Sequence, residues 1–255
     1  MKPLTICLVY FKSLALANLD AALFSVRRQD LEDVAELIVV DNDTDASVVD
    51  VEDLIDKYDF PMEARLVPYR HRDPTKTHSW STNVAMSEVN TDWVLFTRAD
   101  YVLDYDLVSR FMMIVEDHPE NWDGFITSNV YHLNVDIGVC EKVNWRQHGT
   151  NSLRTLPGIE NDHTAIDAGV WMMRRKTFDQ VGGLDERLNA WGHAQTHFQH
   201  QLFEIGVEFV RIPTAMFFHP QHAGPRDINV SHEQLAGIGA DLKKMWSRYH
   251  GPKPY

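Results

Sequence analysis

Short apolar runs alternate along the first half of the chain with segments whose apolar residues recur every three to four positions. The apolar runs are rich in β-branched and aromatic residues, and this composition predicts buried strands at residues 4–10, 36–40, 64–68 and 93–96. The periodic segments between them predict helices around residues 16–28, 51–60 and 79–89. Strict alternation of strand and helix indicates a parallel, doubly wound α/β sheet.

The pattern changes after residue 118. It predicts strands at residues 124–131, 165–174, 207–212 and 215–218, and helices at residues 194–205 and 231–249. Residues 134–162 show no clear periodicity, which is typical of a functional or a mobile segment. With no internal repeat or clear linker, we expect a single domain over residues 1–255 that is built from two halves.

Composition narrows the class of protein. Of the 255 residues, 44% are apolar, enough for an extensive core, and the net charge of −13 disfavours nucleic acid as a partner. Two cysteines, Cys7 and Cys140, are too few for a disulfide framework or a zinc cage. The first strand begins directly after Pro3, and no apolar run approaches the roughly 20 residues of a membrane helix. We therefore expect a cytoplasmic protein.

Charged clusters follow two of the predicted strands, where open α/β sheets bind their ligands. Residues 97–100 (Thr-Arg-Ala-Asp) follow the fourth strand and precede a helix predicted to open at Asp104. Residues 41–45 follow the second strand and hold three carboxylates, a composition that also suits an ordinary turn. The loop at residues 69–76 is rich in cations, which suits either a diphosphate or a solvated surface: Arg70, His71, Arg72 and Lys76.

Several segments together resemble the family 2 glycosyltransferases, which have the GT-A fold. They are ELIVVDNDTD at residues 36–45, WVLFTRAD at residues 93–100 and, most specifically, GGLDERLNAWG at residues 182–192. The resemblance spans residues 4–219. It implies a GT-A-like α/β fold, with a Rossmann-type, mostly parallel central sheet flanked by helices and a smaller acceptor-side half.

The resemblance implies an inverting hexosyltransferase that moves a sugar from a nucleoside-diphosphate sugar, most simply a UDP-sugar, to the hydroxyl of a glycan or another acceptor. Residues 1–118 would form the nucleotide-sugar-binding half and residues 119–230 the acceptor-side half. Residues 231–255 would form a C-terminal helix and tail. The implied donor-binding residues are Tyr10, Asp41, Asn83, Arg98 and Asp100.

The resemblance also implies an acceptor site and a metal site. Gly183, Asp185, Glu186 and Trp191 would shape the acceptor pocket. Asp100 and His219 would hold Mn²⁺ or Mg²⁺ against the donor diphosphate.

The sequence departs from the family at two positions that matter for chemistry. Arg98 replaces the first carboxylate of the metal-binding DxD motif. Two interpretations follow: a weakened metal site at Asp100 and His219, which we favour slightly, or a metal-free site in which Arg98 binds the diphosphate.

The second departure affects the general base, because Ala194 and Gln195 replace an acidic pair and neither side chain accepts a proton. The candidate catalytic residues are therefore His193 and His197, at helical i, i+4 spacing, together with Asp185 or its neighbour Glu186. The two histidines also suit a metal or an ordinary surface.

Loss of both acidic features is also what a second hypothesis predicts, although we favour the enzyme. In it the chain is a catalytically inactive, glycosyltransferase-like protein that binds nucleotides or sugars, or serves in an assembly. A nucleotidyltransferase is a weaker candidate, since no glycine-rich phosphate loop lies near the N-terminus.

Overall fold

A computed structural model describes residues 3–11, 14–42, 48–69, 78–161, 169–186 and 193–222. Within these residues nine strands form one sheet. The strands are β1 (Leu4–Phe11), β2 (Val34–Asn42), β3 (Glu63–Tyr69), β4 (Trp93–Arg98), β5 (Val102–Leu103), β6 (Phe125–Leu133), β7 (Gly158–Asn161), β8 (Trp171–Arg174) and β9 (Phe209–His219). The helices are α1 (Leu16–Arg27), α2 (Val48–Asp56), α3 (His78–Ser87), α4 (Leu107–Asp117), α5 (Ile137–Glu141), α6 (Trp145–His148), α7 (Arg175–Gln180) and α8 (His193–Glu204), with a 3-10 helix at Thr150–Thr155.

The first half is the parallel α/β unit that the sequence predicts. Its strands lie side by side in the order β3-β2-β1-β4, all parallel. Their carboxyl ends therefore share one edge of the sheet, where a ligand site is expected.

The second half makes the sheet mixed. Strand β8 pairs antiparallel with β4, and β6, β9 and β5 follow in that order, with β7 added to β6. The two strands predicted at residues 207–212 and 215–218 are one strand, β9. A register shift between Ser128 and Asn129 of β6 accommodates the segment around Pro213, so the pairing continues past it. Of the strand predicted at residues 165–174, only β8 lies within the described residues with strand structure.

Helices cover both faces of the sheet. On one face α1, α2 and α4 contribute residues such as Leu23, Val51 and Phe111 to the larger apolar cluster. On the other face α3, α7 and α8 contribute Met86, Phe178 and Phe198 to a second cluster. The continuous apolar runs of β1 and β4 follow from burial on both faces.

The prediction that a helix opens at Asp104 is wrong: α4 begins at Leu107, and residues 102–103 form β5. Here tertiary contacts override the local signal. The Asp104 N–H donates to the Met216 carbonyl at 3.0 Å, and its carboxylate accepts from the Thr150 hydroxyl. These contacts hold the segment extended along β9 for two residues before the helix begins.

The segment at residues 134–162, predicted to be irregular, contains α5, α6, the 3-10 helix and β7. Each helix there has six residues or fewer, too few to show a period in the sequence. Asp136 caps α5 by accepting from the Val139 N–H at 3.0 Å. The helix predicted from residue 231 lies outside the described residues.

Two further expectations concern cysteine chemistry and membranes. Cys7 and Cys140 are both free and buried, and burial raises the pKa of the Cys7 thiol. Cys7 therefore behaves as a small apolar side chain, as its place in an apolar strand predicts. Within the residues that the structure describes, no helix has both the length and the apolar character that crossing a membrane requires.

Candidate active site

Four polar side chains meet where the turn after β4 lies against the end of β9. Arg98 is the last residue of β4, and Asp100 lies in the turn that leads to β5. Because β5 pairs with β9, with Val102 opposite Phe218, the turn is held beside His219, the last residue of β9. His222 follows three residues later. The site is thus built by strand pairing between segments about 120 residues apart in sequence.

Asp100, His219 and His222 present three ligand atoms to one point. The Asp100 Oδ2 lies 3.3 Å from the Nε2 atom of each histidine, and the two Nε2 atoms are 3.2 Å apart. Ligand atoms held about 2.0–2.2 Å from one ion lie roughly 3.0–3.5 Å from each other. The three residues therefore have the spacing of a divalent cation site without rearrangement. His222 was not predicted; the signal in the sequence was His-Pro-Gln-His, two imidazoles three residues apart.

Arg98 binds the same carboxylate that would bind a cation. Its Nε lies 3.2 Å from Asp100 Oδ1 and its Nη2 lies 3.1 Å from Oδ2, while Nη2 also donates to the Tyr101 hydroxyl at 2.7 Å. The guanidinium carbon lies 4.9 Å from the centre of the Tyr101 ring. Only 7% of the Arg98 side chain and 2% of the Asp100 side chain are exposed, so this is a buried ion pair.

The electrostatics keep Asp100 ionised. Burial alone would raise the pKa of Asp100, but the charge of Arg98 and hydrogen bonds from His219 and His222 outweigh burial and hold it well below its usual range. An ionised carboxylate is the form that coordinates a metal. The positive charge of Arg98 at the same carboxylate opposes a second cation, so the site favours a metal less strongly than two carboxylates would.

His132, which was not predicted from the sequence, contacts His219 at Nδ1, the ring nitrogen that does not face Asp100. It lies on β6 directly beside His219 in the strand register, and the two Nδ1 atoms are 3.0 Å apart. On another side, the Tyr101 ring packs against the His219 ring with centroids 4.9 Å apart. Only the pairing of β6 with β9 brings His132 there, so no local sequence motif could have identified it.

The predicted donor residues Asp41 and Tyr10 lie on neighbouring strands of the same edge. Asp41 is the penultimate residue of β2, fully buried, and it is aligned with Tyr10 of β1. The Tyr10 ring belongs to the apolar core, and its hydroxyl donates to the Leu14 carbonyl at 3.0 Å. Since β1 separates β2 from β4, Asp41 lies two strands away from the Arg98 strand, about 10 Å at a spacing of 4.8 Å per strand.

The predicted donor residue Asn83 contacts the predicted acceptor segment. Its Nδ2 donates to the Leu184 carbonyl at 2.9 Å and to Glu186 at 2.8 Å, and its Oδ1 accepts from the Leu184 N–H at 3.0 Å. Gly183 has φ +74°, and a Cβ there would lie 2.7 Å from the Asn83 amide oxygen. Asn83 therefore fixes the backbone that carries Gly183, Asp185 and Glu186, and its own helix, α3, packs against β1 and β2.

The remaining predicted residues have different outcomes. Helix α8 begins at His193, so His193 and His197 are separated by one helical turn, as the sequence predicts. His197 is half-buried. Trp191 and the cationic loop residues Arg70, His71, Arg72 and Lys76 lie outside the described residues.

Comparisons with known proteins identify the family. The model of glycosyl transferase family 2 matches residues 5–182, more than half of the chain, and the model of the N-terminal domain of galactosyltransferase matches residues 153–223. No curated protein matches the sequence.

Solved structures with the same fold include S. aureus TarS, with a TM-score of 0.63, 11% identity and coverage of 94% of this chain but 39% of the TarS chain. TarS 1–349 in complex with UDP has a TM-score of 0.65 and 10% identity, covering 97% and 66% of the two chains. TarS 1–349 in complex with UDP-GlcNAc has a TM-score of 0.67 and 11% identity, covering 97% and 67%.

Proposed function

The chain belongs to glycosyl transferase family 2, and we propose that it transfers a sugar from a UDP-sugar to an acceptor hydroxyl with inversion at the anomeric carbon. The observation that carries the proposal is the convergence of Asp100, His219 and His222 at the sheet edge that also holds Asp41. The edge thus combines three converging metal-ligand atoms with a buried carboxylate on β2, two strands from β4, and a lateral spacing of about 10 Å between those strands suits the length of a nucleoside diphosphate.

We assign the two ends of the donor to these two positions. Asp41 accepts hydrogen bonds from the nucleoside, and the diphosphate lies toward Asp100 and Arg98. UDP is the favoured nucleotide because TarS, which has the same fold, has been solved with UDP and with UDP-GlcNAc. Asn83 acts from the acceptor side by holding the turn at residues 182–186.

The three candidate ligand residues favour Mn²⁺ over Mg²⁺. Imidazole nitrogens are suitable ligands for transition metals, whereas Mg²⁺ prefers oxygen, and two of the three residues here are histidines. When bound, the ion would neutralise negative charge on the departing nucleoside diphosphate. Asp100 supplies the anionic ligand, and His219 and His222 supply neutral ones.

The acceptor half supplies the base. The acceptor oxygen attacks the anomeric carbon as the bond from that carbon to the phosphate oxygen breaks, and the acceptor proton passes to a side chain. The candidates are His197, His193 and Asp185, on or next to the described acceptor segments. An imidazole has a pKa suited to this transfer near neutral pH. A single displacement of this kind inverts the anomeric centre.

The first experiment measures melting temperature with UDP, UDP-GlcNAc and GDP, each with Mn²⁺, with Mg²⁺ and with EDTA. A ligand that binds the folded state raises the melting temperature by linkage. We expect UDP and UDP-GlcNAc to raise it in Mn²⁺, with smaller shifts in Mg²⁺ and in EDTA. A full shift in EDTA would instead support diphosphate binding by Arg98 without metal, and no shift with any nucleotide would contradict the proposed donor.

One observation favours a second candidate, a nucleotide-binding protein without transferase activity. Arg98 makes two contacts with the Asp100 carboxylate in a buried ion pair. A carboxylate that is already paired in this way is compatible with a site that no longer catalyses transfer. Turnover separates the two candidates. A protein that binds UDP-sugar with Mn²⁺ yet releases no UDP, with or without a panel of glycan acceptors, would support the binding protein.

A further inference from the structure

We propose that His132 is a positioning residue that holds His219 in the ring orientation and tautomer needed to bind a divalent cation. The inference rests on the metal site of the proposed function and adds a residue to it. His132 itself is not proposed as a ligand, because it contacts His219 at the nitrogen opposite to the one that faces Asp100 and His222.

The two nitrogens of His219 face two different partners. Its Nε2 lies 3.3 Å from Asp100 and 3.2 Å from the His222 Nε2, whereas its Nδ1 lies 3.0 Å from the His132 Nδ1. The centroids of the His132 and His219 rings are 5.2 Å apart and the ring planes are inclined at 72°, so the edge of one ring faces the other ring. Adjacent strand positions on β6 and β9 fix both backbones, which makes this geometry a property of the sheet.

Metal binding then determines the tautomers of both rings. An imidazole that binds a cation through Nε2 has no proton there, so His219 carries its proton on Nδ1. That N–H donates to the His132 Nδ1, which must be the unprotonated nitrogen of His132. Histidine ligands of metals commonly donate their second ring N–H to such an acceptor, and loss of the acceptor typically weakens metal binding 10- to 100-fold.

The Tyr101 ring limits the movement of His219 on another side, with centroids 4.9 Å apart. Tyr101 is itself tied to the ion pair, because its hydroxyl accepts from Arg98 at 2.7 Å. Besides the contacts of its Nε2 atom with Asp100 and His222, the His219 ring therefore has His132 at Nδ1 and the Tyr101 ring packed against it. Of these contacts, the one with His132 is the one that can receive the Nδ1 proton.

The test compares variants in Mn²⁺ affinity, measured without nucleotide from the electron paramagnetic resonance signal of free Mn²⁺. His132→Phe keeps a ring but removes the acceptor, and we expect Mn²⁺ affinity to fall 10- to 100-fold. His132→Asn places an amide oxygen near the position of Nδ1 and should retain affinity within about threefold of wild type, since the acceptor is preserved. His132→Leu offers the same loss of acceptor with a smaller side chain, should the Phe variant not fold.

His118→Gln is the matched control, because His118 is another half-buried histidine whose Nδ1 contacts a neighbour, the Ile114 carbonyl at 2.6 Å. Its Mn²⁺ affinity should equal that of wild type. Melting temperatures of all variants in EDTA show whether affinity changes without a general loss of structure.

Three outcomes would overturn the inference. They are wild-type affinity in the folded Phe or Leu variant, a tenfold loss in the Asn variant, and no Mn²⁺ binding by wild type. The first two leave the proposed function intact, whereas transferase activity of the wild type is measured separately as UDP release. A wild type that binds Mn²⁺ but releases no UDP would contradict the proposed function alone.

Discussion

Several groups of side chains in the described part of the molecule join an arginine to an aspartate, and of two such networks, the site network and the helix network, only the first has the properties of a binding site. The site network comprises Arg98, Asp100, Tyr101, His219 and His222 at the sheet edge. The helix network comprises Asp20, Lys57, Tyr58, Glu141 and Arg146, and it joins α1 to α2 and to the segment of α5 and α6.

In the helix network every carboxylate oxygen of Asp20 has a close donor. Oδ1 accepts from Lys57 at 2.6 Å and from the Tyr58 hydroxyl at 2.7 Å, and Oδ2 accepts from Arg146 at 2.7 Å. Arg146 also pairs with Glu141 at 2.9 Å and packs over the Phe24 ring at 4.9 Å. Two acidic and two basic side chains balance each other across three helical segments.

The site network differs in what faces its carboxylate. Asp100 Oδ2 meets two imidazole nitrogens, each of which binds either a proton or a metal, and all three atoms converge on one point. It is also more deeply buried: 2% of the Asp100 side chain is exposed, against 20% for Asp20. Paired charges alone stabilise an arrangement of helices, whereas the three atoms that converge at this buried edge have the spacing that a divalent cation requires.

Removing Asp100 should have the largest effect. Asp100→Asn removes the anionic ligand and leaves Arg98 beside two imidazoles, so we expect Mn²⁺ binding and UDP release to fall at least 100-fold. Leaving a buried arginine without its counter-charge should also lower the free energy of unfolding by about 3 kcal/mol. Mn²⁺ titration, UDP release and urea unfolding measure the three effects. Full activity in this variant would contradict the assignment of Asp100 to the site.

Changing Arg98 should have the opposite effect on the site network, because it should raise Mn²⁺ affinity. Arg98→Asp replaces a cation next to Asp100 with a second carboxylate, so Mn²⁺ affinity should rise about tenfold, equivalent to 1.4 kcal/mol of relieved repulsion and added attraction. The control is Tyr101→Phe, which removes only the hydroxyl that Arg98 contacts. An unchanged affinity in Arg98→Asp would show that the arginine does not limit metal binding.

The sequence predicted the parallel half of the fold because each strand there is an apolar run buried on both faces, as in residues 4–10 and 93–96. It failed where long-range pairing decides the structure. Asp104 carries a helix-start signal, yet β5 forms because residues 102–103 pair with β9. The short helices of residues 134–162 are likewise held by burial of one or two side chains each, such as Trp145 and Leu153 in an apolar cluster, and so few buried side chains per helix leave no periodicity to detect.

The site could be predicted only in part, because some of its residues come together through long-range strand pairing. Asp100 and His219 were identified from a family resemblance, and the structure brings the two within 3.3 Å. His132 and His222 were missed, since their importance depends on the register between β6 and β9 and on the direction of the chain after β9. Arg98 was predicted either to weaken a metal site at Asp100 and His219 or to bind the diphosphate, and both alternatives stay predictions. The structure adds the direct contact of Arg98 with Asp100, which a spacing of two residues does not reveal.

A change in the helix network should have the smallest effect on the free energy of unfolding, and it should leave Mn²⁺ binding unchanged. Burial alone would raise the pKa of Asp20, but hydrogen bonds from Lys57 and Tyr58 and the charge of Arg146 lower it below its usual value. Because the folded pKa is then below that of the unfolded chain, near 3.9, this contribution to stability is present above about pH 4 and is lost as pH falls through the folded pKa.

Asp20→Asn should therefore lower the free energy of unfolding by about 1 kcal/mol at pH 7, a small value because solvent screens this partly exposed network. Urea unfolding at intervals from pH 7 to pH 3 should show the gap between wild type and variant narrowing below about pH 4. Mn²⁺ affinity at pH 7 should not change, because the helix network does not contribute a ligand. A gap that stays constant in acid would mean that Asp20 stabilises the helices by packing. A loss of Mn²⁺ affinity would mean that the two networks are coupled through α1 and the sheet, and that the contrast between them does not hold.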